Sequence, residues 1–127
     1  MIKKKILVVD DEIDVQNILS FRLEINGYSV VVASDGEEGL EKIKMESPDL
    51  VLLDLMLPKI NGFEVCRMVK FDDKHKALPI VILSALDKED DRKKALESGA
   101  DSYFLKPFDF EGLLNKIREL LTERKSS

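Results

Sequence analysis

A doubly wound α/β domain is the fold class that the sequence predicts, and three observations predict it. Four short runs of aliphatic and β-branched residues and a weaker fifth run recur along the chain, at residues 6–9, 30–33, 50–53, 80–83 and 103–105. These runs do not alternate apolar with polar residues, which is typical of parallel strands covered on both faces. Segments of helical period separate them, and such strand–helix–strand units require right-handed crossovers.

The helical segments carry apolar stripes of differing clarity. The stripe of the last segment comprises Leu113, Leu114, Ile117, Leu120 and Leu121. A less regular stripe in the first segment comprises Val15, Ile18, Leu19 and Leu23. Both spacings follow the period of an α-helix with one buried face.

Residues at the helix ends support this division of the chain. Asp35, Asp87 and Asp109 stand where N-caps are expected, and Gly27 and Gly99 stand where a left-handed residue ends a helix. We therefore expect five helices between and after five strands. We expect one domain over residues 1–121, followed by a polar tail over residues 122–127 that frays.

Composition excludes several classes of function. The 127 residues carry 20 basic and 25 acidic side chains, for a net charge of −5, which argues against direct binding of nucleic acid. With one cysteine and one histidine, the chain cannot form an internal disulfide or a zinc cluster of these ligands. No apolar run exceeds four residues, so we expect no membrane span and a cytoplasmic, reducing setting.

Five polar residues stand at or just after the carboxyl ends of the predicted strands: Asp10, Asp11, Asp54, Ser84 and Lys106. Ligands of open parallel sheets bind at this edge. Each residue also has an ordinary structural interpretation, because Asp caps helices and Ser bonds to nearby backbone groups. That interpretation does not account for Asp54, which lies in the most apolar stretch of the chain, where a carboxylate is costly unless paired or bound to a metal.

The charge balance of this edge predicts a cation. Carboxylates about 5 Å apart repel each other by roughly 3 kcal/mol at an effective dielectric constant of 20, and one lysine cannot neutralise three of them. Either a carboxylate pKa is raised or a hard divalent cation binds, and oxygen ligands select Mg²⁺ or Mn²⁺, with Mg²⁺ favoured. Such a site suits phosphoryl transfer, with Asp54 as nucleophile and Ser84 and Lys106 holding phosphoryl oxygens.

Four stretches carry a resemblance to a known family: residues 6–12, residues 49–58 with Asn61 and Gly62, residues 82–85, and residues 99–108. Together they resemble response-regulator receiver domains of two-component signalling, over about residues 4–121. The resemblance implies a flavodoxin-like fold with five parallel strands in the order 2-1-3-4-5 and five flanking helices.

The resemblance also implies a role for each candidate residue. Asp54 would accept a phosphoryl group from a histidine kinase or phosphotransfer protein. Mg²⁺ would be ligated by Asp11, Asp54 and the backbone carbonyl of Met56, with Asp10 acting mainly through a bound water. Lys106 would pair with the phosphoryl group, next to a cis peptide bond to Pro107.

A conformational switch is implied as well. Ser84 and Tyr103 would be the switch pair that reshapes the face formed by the fourth helix, fifth strand and fifth helix, which a downstream effector domain or protein reads. Such a domain is no conventional enzyme, but it catalyses its own phosphorylation and slow dephosphorylation. We expect slow loss of phosphate because Met56 and Leu86, beside the site, have no polar group to orient water.

Receivers joined to winged-helix domains typically form a salt-bridged dimer through an acidic residue before the switch tyrosine and a Glu early in the fifth helix. Ser102 and Gly112 occupy these places, so we expect a monomer or a dimer linked to phosphorylation by other contacts. Of the two remaining reactive residues, we expect His75 to be an exposed loop residue and Cys66 a small buried hydrophobe.

Three alternatives belong to other classes of function. A carrier of flavin mononucleotide needs Ser, Thr and Gly after the first strand, whereas residues 10–14 would repel a phosphate; absorbance near 450 nm distinguishes it. A haloacid-dehalogenase-type phosphatase needs a second Asp two residues after the first, where Glu12 stands. The strongest alternative is a docking receiver that signals without phosphorylation.

Overall fold

The computed structural model describes the backbone of residues 3–126 and the side chains of residues 3–122. Its strands are β1 (Lys5–Val9), β2 (Ser29–Ala33), β3 (Leu50–Leu53), β4 (Ile80–Ser84) and β5 (Ser102–Leu105). Its helices are α1 (Ile13–Ile25), α2 (Gly36–Glu46), α3 (Gly62–Phe71), α4 (Glu89–Glu97) and α5 (Phe110–Ser126). All neighbouring strands pair in parallel in the order β2-β1-β3-β4-β5, so the predicted fold class and strand order are confirmed.

The sheet has an apolar core on each face. On one face, alternate residues of the central strands pack with helices α2, α3 and α4 around Ile43, Val65 and Ala95. On the other face, the intervening residues pack with α1 and α5 around Leu23 and Leu113. Because both faces are covered, every residue of β3 is buried, which explains the continuous apolar runs in the sequence.

Helix α1 departs from its predicted apolar stripe at one position. Its buried residues are Gln16, Leu19 and Leu23, whereas the side chain of Ile18 is 60% exposed. The spacing of three and four residues from Gln16 to Leu23 defines the face turned to the sheet. Ile18 lies outside that face, so its prediction as a core residue is wrong.

The predicted helix ends are confirmed at four places and wrong at one. An Asp35 carboxylate oxygen accepts a hydrogen bond from the Glu38 amide at the start of α2, and Asp109 accepts bonds from two amides at the start of α5. Gly27 and Gly99 have positive φ angles of 94° and 109°. Asp87 does not cap α4, whose first turn instead carries three acidic residues that interact favourably with the helix dipole.

Helix α5 extends beyond the expected end of the domain. It continues to Ser126, so the polar segment that begins at residue 122 starts within this helix. The domain boundary at residue 121 stays a prediction, and residue 127 lies outside the described residues. No helix among the described residues is long and apolar enough to cross a membrane.

The expectation that His75 is an exposed loop residue is wrong. Its side chain is 13% exposed, and its Nδ1 lies 2.8 Å from an Asp72 carboxylate oxygen, a hydrogen bond that lowers the pKa of the Asp72 carboxyl. The histidine is partly buried, because it lies beside Leu40 and Ile43 of α2 and Val69 of α3. Cys66 is fully buried as predicted, and burial raises the pKa of its thiol to about 12.

Candidate functional site

The sheet ladder brings two aspartates together at its carboxyl edge. Strands β1 and β3 are neighbours, and Asp10 and Asp54 directly follow them. The Asp10 amide donates to the Ala33 carbonyl at 3.0 Å, and the Asp54 amide donates to the Val9 carbonyl at 3.0 Å. These bonds continue the ladders past the strand ends, so both carboxylates stand on rigid backbone.

Strands β4 and β5 contribute a hydroxyl and an ammonium group to the same edge. Ser84 is the last residue of β4, within the strand and not after it, and it is completely buried. The Lys106 amide donates to the Ser84 carbonyl at 2.7 Å, which holds the start of the β5–α5 loop against β4. The Lys106–Pro107 peptide bond is cis.

Lys106 lies among three carboxylates. Its Nζ is 2.9 Å from Asp10 Oδ2, 3.3 Å from Asp54 Oδ2 and 4.0 Å from Glu12 Oε1. Asp10 and Asp54 are 2% and 7% exposed, whereas the Glu12 side chain is 66% exposed. One cation therefore faces three anions, two of them buried.

The third carboxylate of this cluster differs from the one that the sequence predicts. Oxygen atoms of Asp10, Glu12 and Asp54 lie within 4.8 Å of one another, whereas Asp11 is exposed and outside this group. The Glu12 amide donates to Asp10 Oδ1 at 2.9 Å, which turns the chain so that residue 12 faces the site. An Asp that accepts the amide two residues later is a common local turn, but the sequence alone does not show which of residues 11 and 12 this turn directs toward the site.

The shared lysine leaves the buried carboxylates incompletely neutralised. Burial raises the pKa of the Asp54 carboxyl; the hydrogen bond from the Met56 amide at 3.1 Å and the charge of Lys106 oppose the rise, and the charge of Asp10 adds to it. Burial works to lower the pKa of Lys106, but the hydrogen bond from its ammonium group to Asp10 and the nearby negative charges raise it overall. The site thus holds a charged lysine beside a destabilised carboxylate.

The backbone next to Asp54 packs closely against the start of α3. The Gly62 amide donates to the Leu55 carbonyl at 2.9 Å, and a Cβ atom on Gly62 would collide with the Asp54 carbonyl oxygen. Only glycine therefore allows α3 to start this close to the end of β3. The neighbouring Met56 side chain is 62% exposed and leaves the site open to solvent.

Ser84 and Tyr103 are connected through a single residue. The Tyr103 hydroxyl donates to the Leu86 carbonyl at 2.7 Å, and the Leu86 amide donates to the Ser84 hydroxyl oxygen at 3.1 Å. Tyr103 packs against the core beside β4, and this burial raises the pKa of its phenol. Both side chains therefore bond to the same residue of the β4–α4 loop.

The donor set fits a hard divalent cation. All ligand atoms of the acidic cluster are carboxylate oxygens, with no nitrogen or sulfur ligand beside them in the described part of the chain. Oxygen-only sites with open positions suit Mg²⁺ or Mn²⁺, and such a cation would supply the positive charge that Lys106 alone does not.

Comparisons with known proteins agree with this geometry. The family model of the response regulator receiver domain matches residues 6–118. A probable transcriptional regulator, ycf27, of Cyanophora paradoxa is 50% identical over 119 residues, covering 94% of this chain and 48% of that protein. The alkaline phosphatase synthesis transcriptional regulatory protein PhoP of Bacillus subtilis is 46% identical over 118 residues, covering 93% of this chain and 48% of that protein.

Solved structures show the same fold. A crystal structure of a putative response regulator from Chloroflexus aurantiacus has a TM-score of 0.90 and 33% identity, covering 95% of this chain and 99% of that chain. The BeF3-activated N-terminal receiver domain of RstA from Klebsiella pneumoniae has a TM-score of 0.85 and 36% identity, covering 93% of this chain and 98% of that chain. The chain spans about half the length of the curated relatives it matches. It belongs to the response regulator receiver domain family of two-component systems.

Proposed function

We propose that the chain is a signalling switch that accepts a phosphoryl group on Asp54 from a histidine kinase or phosphotransfer protein. One observation carries the proposal: the buried Asp54 carboxylate shares a single lysine with Asp10 and Glu12 at the open edge of the sheet. A purely structural aspartate would have its own cation or a donor from a neighbouring strand. Asp54 has one donor from its own loop, the Met56 amide, and stands where added positive charge and a phosphoryl group are both accommodated.

We further propose which groups hold the cation. Asp11, Asp54 and the backbone carbonyl of Met56 ligate Mg²⁺, and Asp10 contributes mainly through a bound water. The exposed position of Asp11 next to the buried pair leaves its carboxylate free to turn toward the site. Mg²⁺ supplies charge compensation for the carboxylates and the phosphoryl oxygens.

Each residue of the site then has its own role in phosphoryl transfer. An Asp54 carboxylate oxygen forms a bond to phosphorus in line with the departing nitrogen of the donor's phosphohistidine, whose bond to phosphorus breaks. The Lys106 ammonium group, 3.3 Å from Asp54, donates to a phosphoryl oxygen and stabilises its charge. The Ser84 hydroxyl donates a hydrogen bond to another phosphoryl oxygen.

The same hydroxyl connects phosphorylation to the surface. When Ser84 turns toward a phosphoryl oxygen, it gives up the hydrogen bond from the Leu86 amide. Because the Leu86 carbonyl also holds Tyr103, the β4–α4 loop and the tyrosine move together. We propose that the face formed by α4, β5 and α5 changes in this way and is read by a separate effector domain or protein.

Helix α1 offers a docking surface for the phosphoryl donor. Ile13, Ile18, Phe21 and Ile25 are each at least 60% exposed. A groove of about 300 Å³ lies between α1 and the β5–α5 loop, lined by Val15, Ile18, Arg22, Lys106, Pro107 and Phe108. The groove reaches Lys106, so a partner bound there would have its donor group beside the acidic cluster. We therefore propose that the kinase or phosphotransfer protein binds here.

Phosphorylation by a small donor tests the proposal. With phosphoramidate or acetyl phosphate and Mg²⁺, intact mass measurement is expected to show a gain of one phosphoryl group. Asp54→Asn should abolish the gain, whereas Asp101→Asn, which alters a carboxylate at the opposite edge of the sheet, should leave it unchanged. A wild-type protein that takes up no phosphoryl group from either donor, yet binds its partner, would instead support a phosphorylation-independent docking receiver.

We propose that the phosphorylated state is long-lived. Met56 is exposed and Leu86 is half-buried, and neither offers a polar group that could orient the attacking water. The half-life of the phosphoprotein in Mg²⁺ buffer, followed by mass or by phosphate release, is expected to be minutes or longer. Met56→Asn should shorten it, and a wild-type half-life of seconds would contradict the prediction.

A further inference from the structure

One buried polar side chain remains without a role in the proposed function. Among the described residues, the buried polar side chains are Asp10, Gln16, Asp54 and Ser84. Three of them form the candidate site, and the fourth, Gln16, lies on α1 with 7% of its surface exposed. A buried amide costs free energy unless it is hydrogen-bonded, so the hydrogen-bond acceptors of Gln16 indicate its structural role.

The amide nitrogen of Gln16 connects three segments of the chain. Its Nε2 donates to the Asp10 carbonyl at 2.6 Å and to the Ser34 hydroxyl oxygen at 3.0 Å, with a weaker contact of 3.4 Å to the Ala33 carbonyl. The Ala33 carbonyl also accepts the Asp10 amide at 3.0 Å. Helix α1, the end of β1 and the end of β2 thus meet at one side-chain amide.

These bonds hold Asp10 from both sides. Its backbone N–H is held by β2 and its carbonyl by Gln16, so the orientation of the backbone at the start of loop 10–12 is set by two independent partners. That loop carries all the acidic residues that β1 contributes to the candidate site, namely Asp10, Asp11 and Glu12.

We propose that Gln16 is a positioning residue that presents loop 10–12 to a divalent cation. The inference rests on the proposed function, because it assigns Gln16 to the cation site described there. Gln16 touches no carboxylate oxygen and acts through the Asp10 carbonyl. Removal of a hydrogen-bond partner directly behind a metal ligand typically weakens metal affinity by about 10-fold to 100-fold. Because Gln16 acts on the backbone of the loop, we expect the lower end of this range.

Packing alone does not account for this glutamine. Leu19 and Leu23 supply the apolar contacts of the buried face of α1. A methionine at position 16 would occupy similar space without donating hydrogen bonds. The hydrogen bonds to loop 10–12 and β2 are therefore what distinguish Gln16 from a residue that only fills the core.

Calorimetric titration of the apoprotein with Mg²⁺ tests the proposal. Gln16→Met is expected to weaken Mg²⁺ binding about tenfold. Two controls on the same helix should stay within twofold of wild type. Asn17→Met changes the exposed neighbour, and Leu19→Ala removes buried packing and lowers stability without touching loop 10–12.

A second variant and a second readout cover the case in which Gln16→Met folds poorly. Gln16→Asn keeps the amide but withdraws it by one methylene, and it should also weaken Mg²⁺ binding. With a chelator present, the backbone amides of Asp11 and Glu12 should exchange with deuterium faster in the Gln16 variants than in Leu19→Ala. The proteins are compared under conditions in which their free energies of unfolding are equal.

The outcomes separate this inference from the proposed function. Gln16 variants with wild-type Mg²⁺ affinity, or an equal loss in Leu19→Ala, would overturn the positioning role alone. A wild-type protein that binds no Mg²⁺ would overturn the proposed function and this inference together.

Discussion

The carboxylates at the two edges of the sheet have different hydrogen-bond partners. At the amino edge, Asp49 Oδ2 accepts the Lys5 amide at 2.8 Å, and Asp101 Oδ2 accepts the Ile80 amide at 2.8 Å. Lys70 adds an ammonium group 3.5 Å from Asp101. Each of these carboxylates therefore has a backbone donor from a neighbouring strand, and it joins the start of that strand to a loop.

At the carboxyl edge, the backbone donors come from the carboxylates' own loops, because Asp10 accepts the Glu12 amide and Asp54 accepts the Met56 amide. Three carboxylates converge on Lys106, and the strand backbone there is already paired within the sheet. A carboxylate bonded to the backbone of a neighbouring strand stabilises the fold, whereas carboxylates that are bonded only within their own loops and share one cation leave room for a ligand. The carboxyl edge is therefore the candidate functional edge, and three stability measurements test the difference between the two edges.

The largest effect is expected from removing the shared cation. Lys106→Met leaves Asp10 and Asp54 buried without a counter-ion, so we expect a loss of about 3 kcal/mol in the free energy of unfolding at pH 7 in chelator. Urea denaturation measures it. Lys70→Met at the amino edge is the matched control, because Lys70 is one of two partners of Asp101. An equal loss in both variants would contradict the distinction between the edges.

An intermediate effect is expected at the amino edge. Asp101→Ala leaves the Ile80 amide without its side-chain acceptor at a buried position, which should cost about 1.5 kcal/mol in the free energy of unfolding. Addition of Mg²⁺ should not restore it. Asp101→Asn retains an acceptor oxygen and should recover most of the loss; if it is as unstable as the alanine variant, the backbone bond is not the cause.

The smallest effect has the opposite sign. Asp54→Asn removes a carboxylate whose pKa is raised by burial, so in chelator at pH 7 it should stabilise the fold by about 1 kcal/mol. A raised pKa means that the ionised form is disfavoured in the folded state. The penalty therefore develops as the pH rises from the unfolded-state value of 3.8 through the folded-state pKa.

The pH dependence supplies the check on this prediction. As the pH falls through the raised folded-state pKa, the wild-type carboxyl becomes protonated, and the difference in unfolding free energy between wild type and Asp54→Asn should shrink until the pH reaches the unfolded-state value of 3.8. Urea denaturation of both proteins in chelator at pH 7 and pH 4 measures it. A wild-type protein that is at least as stable as the variant at pH 7 would show that the ionised Asp54 carboxylate does not destabilise the folded state.

Local patterns determined the fold class and most of the strand and helix positions. The apolar runs marked the interior strands within one residue because both faces of each are covered, and Gly27 and Gly99 marked helix ends because their positive φ angles disfavour other residues. The strand order came from the resemblance to receiver domains. Periodicity carries no information on which strands become neighbours.

The errors arose where a side chain's surroundings come from distant segments. Ile18 fits the apolar period of α1 but faces solvent, and Gln16 is buried because β1 and β2 offer it acceptors. His75 stands in a polar stretch but lies beside Leu40 and Ile43 of α2. No nearby pattern reveals these partners.

By itself, the sequence determined that polar residues end the strands of a parallel sheet and that Asp54 stands among apolar neighbours. These follow from chain order and residue type. Tertiary structure decided which carboxylates share Lys106, that Glu12 and not Asp11 stands in the cluster, and that Gln16 holds the Asp10 backbone. Electrostatic and hydrogen-bond energies depend on distances of a few ångströms between segments far apart in the chain, and only folding sets those distances.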